Sequence, residues 1–273
     1  MTHDTRHLTR SRALGPPPSR FRWEREDRRE ATRGWDGCSV QEICIVCFGD
    51  SVTQGTPQVH PEETFPRVLE RRLNQRFRPE RAAFQVLNAG VGGENTAEGL
   101  ARIQADVLDH GPQIVIVEFG LNDVRYEPEK QIPAPQFVEN LGRIATAIME
   151  IGAQVILTTP SPIINERHPY SQATDYYRKW GGCNQALEEY VEGVREAGRI
   201  IPARVCDIYE AFVERAIEAE FRGETLDYRD LLSLQPYISF EDGVHPTASG
   251  QRLIAQELYQ VLLVMDVIAR GQA

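Results

Sequence analysis

The chain has 273 residues, 41% of them hydrophobic and 26% charged, with a formal net charge of -10. That supports one large domain with a core that needs no disulfide staples, and the negative balance argues against nucleic acid as a partner. Five cysteines, an odd and sparse set, point to a reducing compartment, and no run approaches the 18 apolar residues of a membrane-spanning helix.

Residues 1–39 carry nine arginines and six acidic residues, include GPPPSR and REDRRE, and lack the apolar core of a signal peptide. They are expected to be a disordered extension, or to follow from a start placed too far upstream. An arginine-rich organellar transit peptide is the alternative, weakened by the acids. A cytoplasmic location and a folded domain over 40–273 are the corresponding expectations.

From residue 40 the pattern is regular. EICIVCF (42–48) reads as a strand. Cys44 and Cys47 within it form a C-x-x-C, but residues three apart on a strand face opposite ways, and nothing completes a zinc site, so both read as small core residues. A helix follows with Phe65, Leu69, Leu73 and Phe77 on one face. FQVLN (84–88) is a strand, 95–111 a helix ended by Gly111 and Pro112, and QIVIVEFG (113–120) a strand apolar nearly throughout. A helix over 135–152, a strand over 153–160, a helix over 176–197, a strand over 200–208 and a helix near 209–221 follow. The last helix, 248–268, places Ile254, Leu258, Val261, Met265 and Ile268 on one side. Continuously apolar strands alternating with helices predict an α/β fold, a three-layer α/β/α sandwich around a central five-stranded, mainly parallel sheet.

In such sheets the working residues gather at the carboxyl ends of the strands. Strand one ends in GDSVTQG, strand two in NAGVGGENT, strand three in GLNDV, and EDGVHPTASG precedes the last helix. A serine, a glycine turn, an Asn-Asp pair and a D-x-x-H therefore meet on one rim. Serine is a poor nucleophile until a base takes its proton; His245 is a candidate base, and Asp242, three residues earlier, is close enough to fix its tautomer. Pro246 disfavours helix at His245. The developing oxyanion needs preorganised donors, for which the Ser51 and Gly93 amides and the Asn122 side chain are candidates.

Taken singly, each block is compatible with an ordinary turn or cap. Together, in this order, they resemble the SGNH or GDSL-type esterases and acylhydrolases over about residues 42–265. The resemblance maps the family's signature residues onto Ser51, Gly93, Asn122 and His245, with Asp242 completing the triad. It implies the flavodoxin-like fold of that family and ester hydrolysis through an acyl-enzyme on Ser51, without cofactor or metal. Departures are Val52, where leucine is frequent, and GVGG, which offers more than one glycine. Asp50 is expected to bond loop amides and Asp123 to brace the loop around Asn122. His60, His110 and His168 are expected at the surface, with a minor substrate contact open to His168.

Rivals fail on their own marks. G-x-G-x-x-G is broken by Asn95, G-x-x-x-x-G-K-[ST] is absent, and the α/β-hydrolase G-x-S-x-G does not occur around Ser51. A non-catalytic binding module would have lost Ser51, Asp242 or His245. The expected substrates are small or short-chain acyl esters, with a carbohydrate O-acetylesterase or a lysophospholipase or thioesterase as alternatives. No stable membrane insertion is expected, and the oligomeric state stays open. The segment 160–180 is expected to wall the site, its Tyr170, Tyr176, Tyr177 and Trp180 stacking on a sugar, bordering an acyl slot, or serving as core and surface.

Overall fold

A strand hidden on both faces must be apolar along its whole length, and the first apolar run meets that condition. In β1 (Gln41–Gly49) every residue from Ile45 to its end is buried. The chain continues through α1 (Ser51–Gln54), α2 (Phe65–Arg76), β2 (Ala82–Gly90), α3 (Thr96–Asp106), β3 (Ile114–Glu118), α4 (Ala134–Glu150), β4 (Gln154–Thr158), α5 (Cys183–Ile200), β5 (Arg204–Cys206), α6 (Ile208–Phe221) and α7 (Ala248–Val264). This is a computed structural model, and it describes residues 41–55, 59–77, 82–169, 171, 174–223 and 232–265. The readings for residues 1–39, Tyr170 and Ile268 fall outside the described residues.

The sheet order is β2-β1-β3-β4-β5, and all pairs are parallel. Register brings Gly49 opposite both Gly90 and Glu118, Glu118 opposite Thr158, and Thr158 opposite Cys206. The carboxyl ends thus form one level rim. The chain steps outward from β1 to β2, then back past β1 to β3. With right-handed crossovers, that reversal puts α2 on one face and α3, α4 and α5 on the other. It also makes the gap between the ends of β1 and β3 the topological switch point, where open α/β sheets bind ligands.

The packed faces follow the sequence periodicities. Phe65, Leu69 and Leu73 of α2 are buried, and Phe77 packs against them. Phe48 and Phe119 meet edge-on with ring centres 5.2 Å apart. Cys47 is fully buried and Cys44 partly so; with Cys183 and Cys206 they are free thiols, and burial raises the pKa of each.

Several boundaries differ from the periodic reading. The helix expected over 95–111 ends as α-helix at Asp106 and continues as a 3₁₀ turn over Leu108–His110, closed by Gly111 at φ 57. The helix expected over 176–197 is two elements, a 3₁₀ turn at Tyr176–Trp180 and α5, separated by Gly181 and Gly182 at φ 95 and 154. Side-chain periodicity runs through such a break because a 3₁₀ turn and an α-turn place i and i+3 on similar faces. On α7, Leu253 and Leu262 join Ile254, Leu258 and Met265 in the core, while Val261 is only half-buried.

Candidate active site

The turn that carries Ser51 is made by Asp50 and closed by glycines. Asp50 caps α1, its Oδ1 accepting from Val52 N at 2.8 Å, which starts the helix one residue beyond the strand and points Ser51 out over the rim. The turn folds so tightly onto the strand end that a Cβ on Gly49 would lie 2.3 Å from Glu118 O and from Thr53 Oγ1. Only glycine fits there. Gln251 of α7 clamps the same turn: its Nε2 donates to Val52 O (2.9 Å) and its Oε1 accepts from Phe65 N (2.7 Å).

Ser51, His245 and Asp242 form a continuous hydrogen-bonded row. His245 Nε2 lies 3.0 Å from Ser51 Oγ, and its Nδ1 lies 2.9 Å from Asp242 Oδ2. The other Asp242 oxygen accepts from the backbone N–H groups of Val244 (2.9 Å) and His245 (3.0 Å). Burial is the largest single influence on the Asp242 carboxyl and pushes it up, but the hydrogen bonds from His245 and these amides and the charge of His245 together outweigh it and hold it below the ordinary carboxylate range. It is therefore ionised, and it fixes the Nδ1–H tautomer that leaves Nε2 free to accept a proton. Pro246 pairs with Ile238 in an isolated antiparallel bridge, and the helix starts only at Ala248 under the Thr247 cap, so His245 sits in an irregular turn as its following proline requires.

The second block folds beside the serine. Gly93 has φ 79, a conformation that favours glycine, and a Cβ there would meet nothing within 4 Å. The Gly92 amide is committed to Gln54 Oε1 at 3.0 Å. The Ser51 and Gly93 amides donate to no acceptor among the described residues, which distinguishes Gly93 from its neighbour in GVGG. Asn122, after β3, directs Nδ2 at Asp50 Oδ2 (3.1 Å) and at Glu94 O (3.0 Å). Asp123 turns inward: it is fully buried and its Oδ1 accepts from the Thr96 backbone N–H (3.0 Å) and hydroxyl, tying the Asn122 loop to the start of α3. Arg102 ties the ends of β1 and β2 together, donating to Gly49 O (3.0 Å) and Ala89 O (2.8 Å) while pairing with Glu94.

Two expectations need correction or division. His60 and His110 are exposed, but His168 is 7% exposed and is not a surface residue. The segment after β4 folds back onto the Asp242 loop, with Ile164 N donating to Gly243 O at 2.8 Å and His168 N to Ile164 O at 3.0 Å. Burial, with Arg125 and His245 nearby, lowers the His168 pKa to about 4, so the ring is neutral. The aromatic residues of 160–180 divide. Tyr177 is core, its hydroxyl donating to Val124 O at 3.2 Å. Tyr176 and Trp180 line a cleft of about 300 Å³ with Gln131, Pro133 and Tyr190, and none of Ser51, Asn122, Asp242 or His245 is among its walls.

Sequence reasoning did not single out Glu118, Gln251 or Arg102. Each is one polar residue in an otherwise ordinary strand or helix, and the bond that ties it to the Ser51 turn or to the end of β1 spans 53 to 199 residues along the chain.

Residues 47–253 match the model of the GDSL-like lipase/acylhydrolase family. The chain belongs to that family. It is a carboxylic ester hydrolase of GDSL type. Among its relatives, it is 27% identical over 231 residues to the uncharacterized lipoprotein YqeF of Bacillus subtilis, covering 82% of this chain and 90% of that one. It is 30% identical over 114 residues to an arylesterase of Vibrio mimicus, covering 41% of this chain and 52% of the other. A lipase/acylhydrolase from Enterococcus faecalis superposes with a TM-score of 0.61 at 26% identity, covering 81% of this chain and 95% of that one. The acetyl xylan esterase AlAXEase gives the same score at 20% identity over 81% and 100%, and so shares the fold. No helix among the described residues is long and apolar enough to cross a membrane.

Proposed function

We propose that this GDSL hydrolase cleaves small or short-chain acyl esters through an acyl-enzyme on Ser51. The supporting observation is the row from Ser51 Oγ through His245 to Asp242, with both links at about hydrogen-bond length. In this reading His245 Nε2 takes the Ser51 proton as Oγ attacks the ester carbonyl. It then returns that proton to the leaving alkoxide. Water, deprotonated by the same nitrogen, attacks the acyl-enzyme; the bond to Ser51 Oγ breaks, Oγ takes that proton back from His245, and the acid leaves. Asp242 stays ionised throughout and stabilises the imidazolium.

The Ser51 and Gly93 amides and Asn122 Nδ2 receive the oxyanion. The two amides are unengaged, but Nδ2 contacts Glu94 O in the absence of substrate. An anionic oxygen is a stronger acceptor than a peptide carbonyl, so the arriving oxyanion displaces that contact, and such bonds commonly tighten only in the complex. The substrate is a small molecule, since the net charge of -10 disfavours nucleic acid. Four free cysteines among the described residues favour action in the cytoplasm.

Carbohydrate O-acetyl esters are the second reading, in which the Tyr176–Trp180 cleft, which Ser51 and His245 do not line, takes a further sugar unit and not the reacting ester. The test is a panel of p-nitrophenyl esters of increasing chain length, run beside acetylated xylo-oligosaccharides, with organophosphate labelling located by peptide mass. Short-chain turnover with label on Ser51 supports the proposal. Label elsewhere, or full turnover by Ser51→Ala, overturns it.

A further inference from the structure

Asp50 and Glu118 lie together behind the nucleophile, buried to 0% and 3% exposure and within hydrogen-bond reach of one another. Asp50 Oδ1 is taken by Val52 N and Oδ2 by Asn122 Nδ2. Glu118 Oε2 accepts from Thr53 Oγ1 at 3.0 Å, and its Oε1 has no hydrogen-bond donor if both acids are ionised. The ion-paired groups of this region face other partners: Arg102 pairs with Glu94 and Asp106, and His245 with Asp242. Two carboxylates here would repel in a dry site with no cation between them, and a buried oxygen would stay unsatisfied. A single proton held between them removes both costs.

We propose that Asp50 and Glu118 share one proton at neutral pH, and that this acid pair is a positioning device for the nucleophile turn and the Asn122 amide. It grips the turn at Val52 and Thr53 and the oxyanion loop at Asn122, so one hydrogen-bonded unit sets the distance between nucleophile and donor. This rests on the reading of Asn122 as an oxyanion donor. Burial, then the charge of Glu118, raises the Asp50 pKa well above the ordinary carboxylate range, and burial raises that of Glu118 as well. The charged groups facing the pair act in both directions: His245, from the loop before α7, lowers the Asp50 value, while Asp123, from the loop after β3, interacts with Asp50 as a like charge. Arg102 of α3 reaches Gly49 O beside them. When the pair loses its last proton in alkaline solution, the like charges push the turn and the Asn122 loop apart, so activity falls there through a group other than the base.

Two readouts test this. The first is the infrared band of a protonated carboxyl in the unliganded protein at pH 8. It is expected in the wild type and weaker in both Asp50→Asn and Glu118→Gln, because the amide put in place of either acid donates to the remaining carboxylate and favours its ionised form; an Asp123→Asn background removes the band of the other raised acid. The second is kinetic. Glu118→Ala should lower kcat about tenfold with KM unchanged. Glu118→Gln, which can donate from its amide to Asp50, should recover most of that loss while abolishing the alkaline fall in kcat. A wild type without the band, a Glu118→Gln profile with the alkaline fall intact, or Ala and Gln variants equal in kcat would each overturn the proposal. If Glu118→Ala does not fold, the band and the Gln profile decide. Organophosphate labelling of Ser51 in the wild type separates failure of the pair from failure of the catalytic reading.

Discussion

At the scale of single residues, the proposed mechanism separates groups that move protons from groups that only donate to charge. Ser51→Ala should abolish ester hydrolysis while circular dichroism and Tm stay at wild-type values, since among the described residues Ser51 Oγ hydrogen-bonds only to His245; more than a few per cent residual kcat in pure protein would refute the nucleophile. In that mechanism Asn122 transfers no proton, and its Nδ2 strengthens its bond only as the carbonyl oxygen gains charge. Asn122→Ala should lower kcat by about 10²–10³ with KM little changed. A raised KM with normal kcat would make Asn122 a substrate-binding residue instead. The variant also removes a donor to buried Asp50, so its thermal unfolding should be measured beside its kinetics.

At the scale of elements, α7 does more than cover the sheet. Through Gln251 it joins the start of α2 to the turn that carries Ser51. Gln251→Ala strands Phe65 N and Val52 O in a buried setting. That costs about 1–3 kcal/mol for each group left without a partner, and it loosens the nucleophile turn. A fall in unfolding free energy accompanied by a fall in kcat is expected; unchanged stability by urea titration would contradict it. The elements themselves were largely legible in the sequence, because β1, β3 and β4 are short apolar runs and α2 repeats its core residues every four positions. The hydrogen-bonded row from Ser51 to Asp242 was legible for a related reason: Asp242 and His245 are three residues apart, and Ser51 stands where an apolar run stops. What stayed hidden depended on contacts remote along the chain. His168 looked like a loop residue until the segment after β4 folded onto Gly243. Glu118 looked like the end of a strand until β3 lay beside β1 and met Asp50.

Taken as a whole, the molecule carries buried acids whose proton binding bears on its stability. The pKa values of Glu118 and Asp123 are raised to about 7 by burial, from 4.5 and 3.8. The folded state therefore binds their protons more tightly than the unfolded chain. Their stabilisation is complete below about pH 4 and is lost as pH rises through about 7. His168, lowered from 6.5 to about 4, acts with the opposite sign, adding stability as pH rises from about 4 to 6.5 and nothing further above. The raised cysteines and tyrosines have ordinary values of 9.0 and 10.0, so between pH 6.5 and 8 the buried acids, Asp50 among them, govern the change. Unfolding free energy should then drop between pH 6.5 and 8 by about 1 kcal/mol for each acid, and Asp123→Asn should shrink the drop. Urea titrations that agree at the two pH values would refute this. A different consequence follows from the separation of 194 residues between Ser51 and His245. During synthesis the serine emerges early, but its base comes after β5, and the turn it belongs to is clamped by a helix later still. In the proposed mechanism a nascent chain is therefore chemically silent until nearly all of it has left the ribosome, and a proteolytic fragment ending before Asp242 keeps Ser51 without its base.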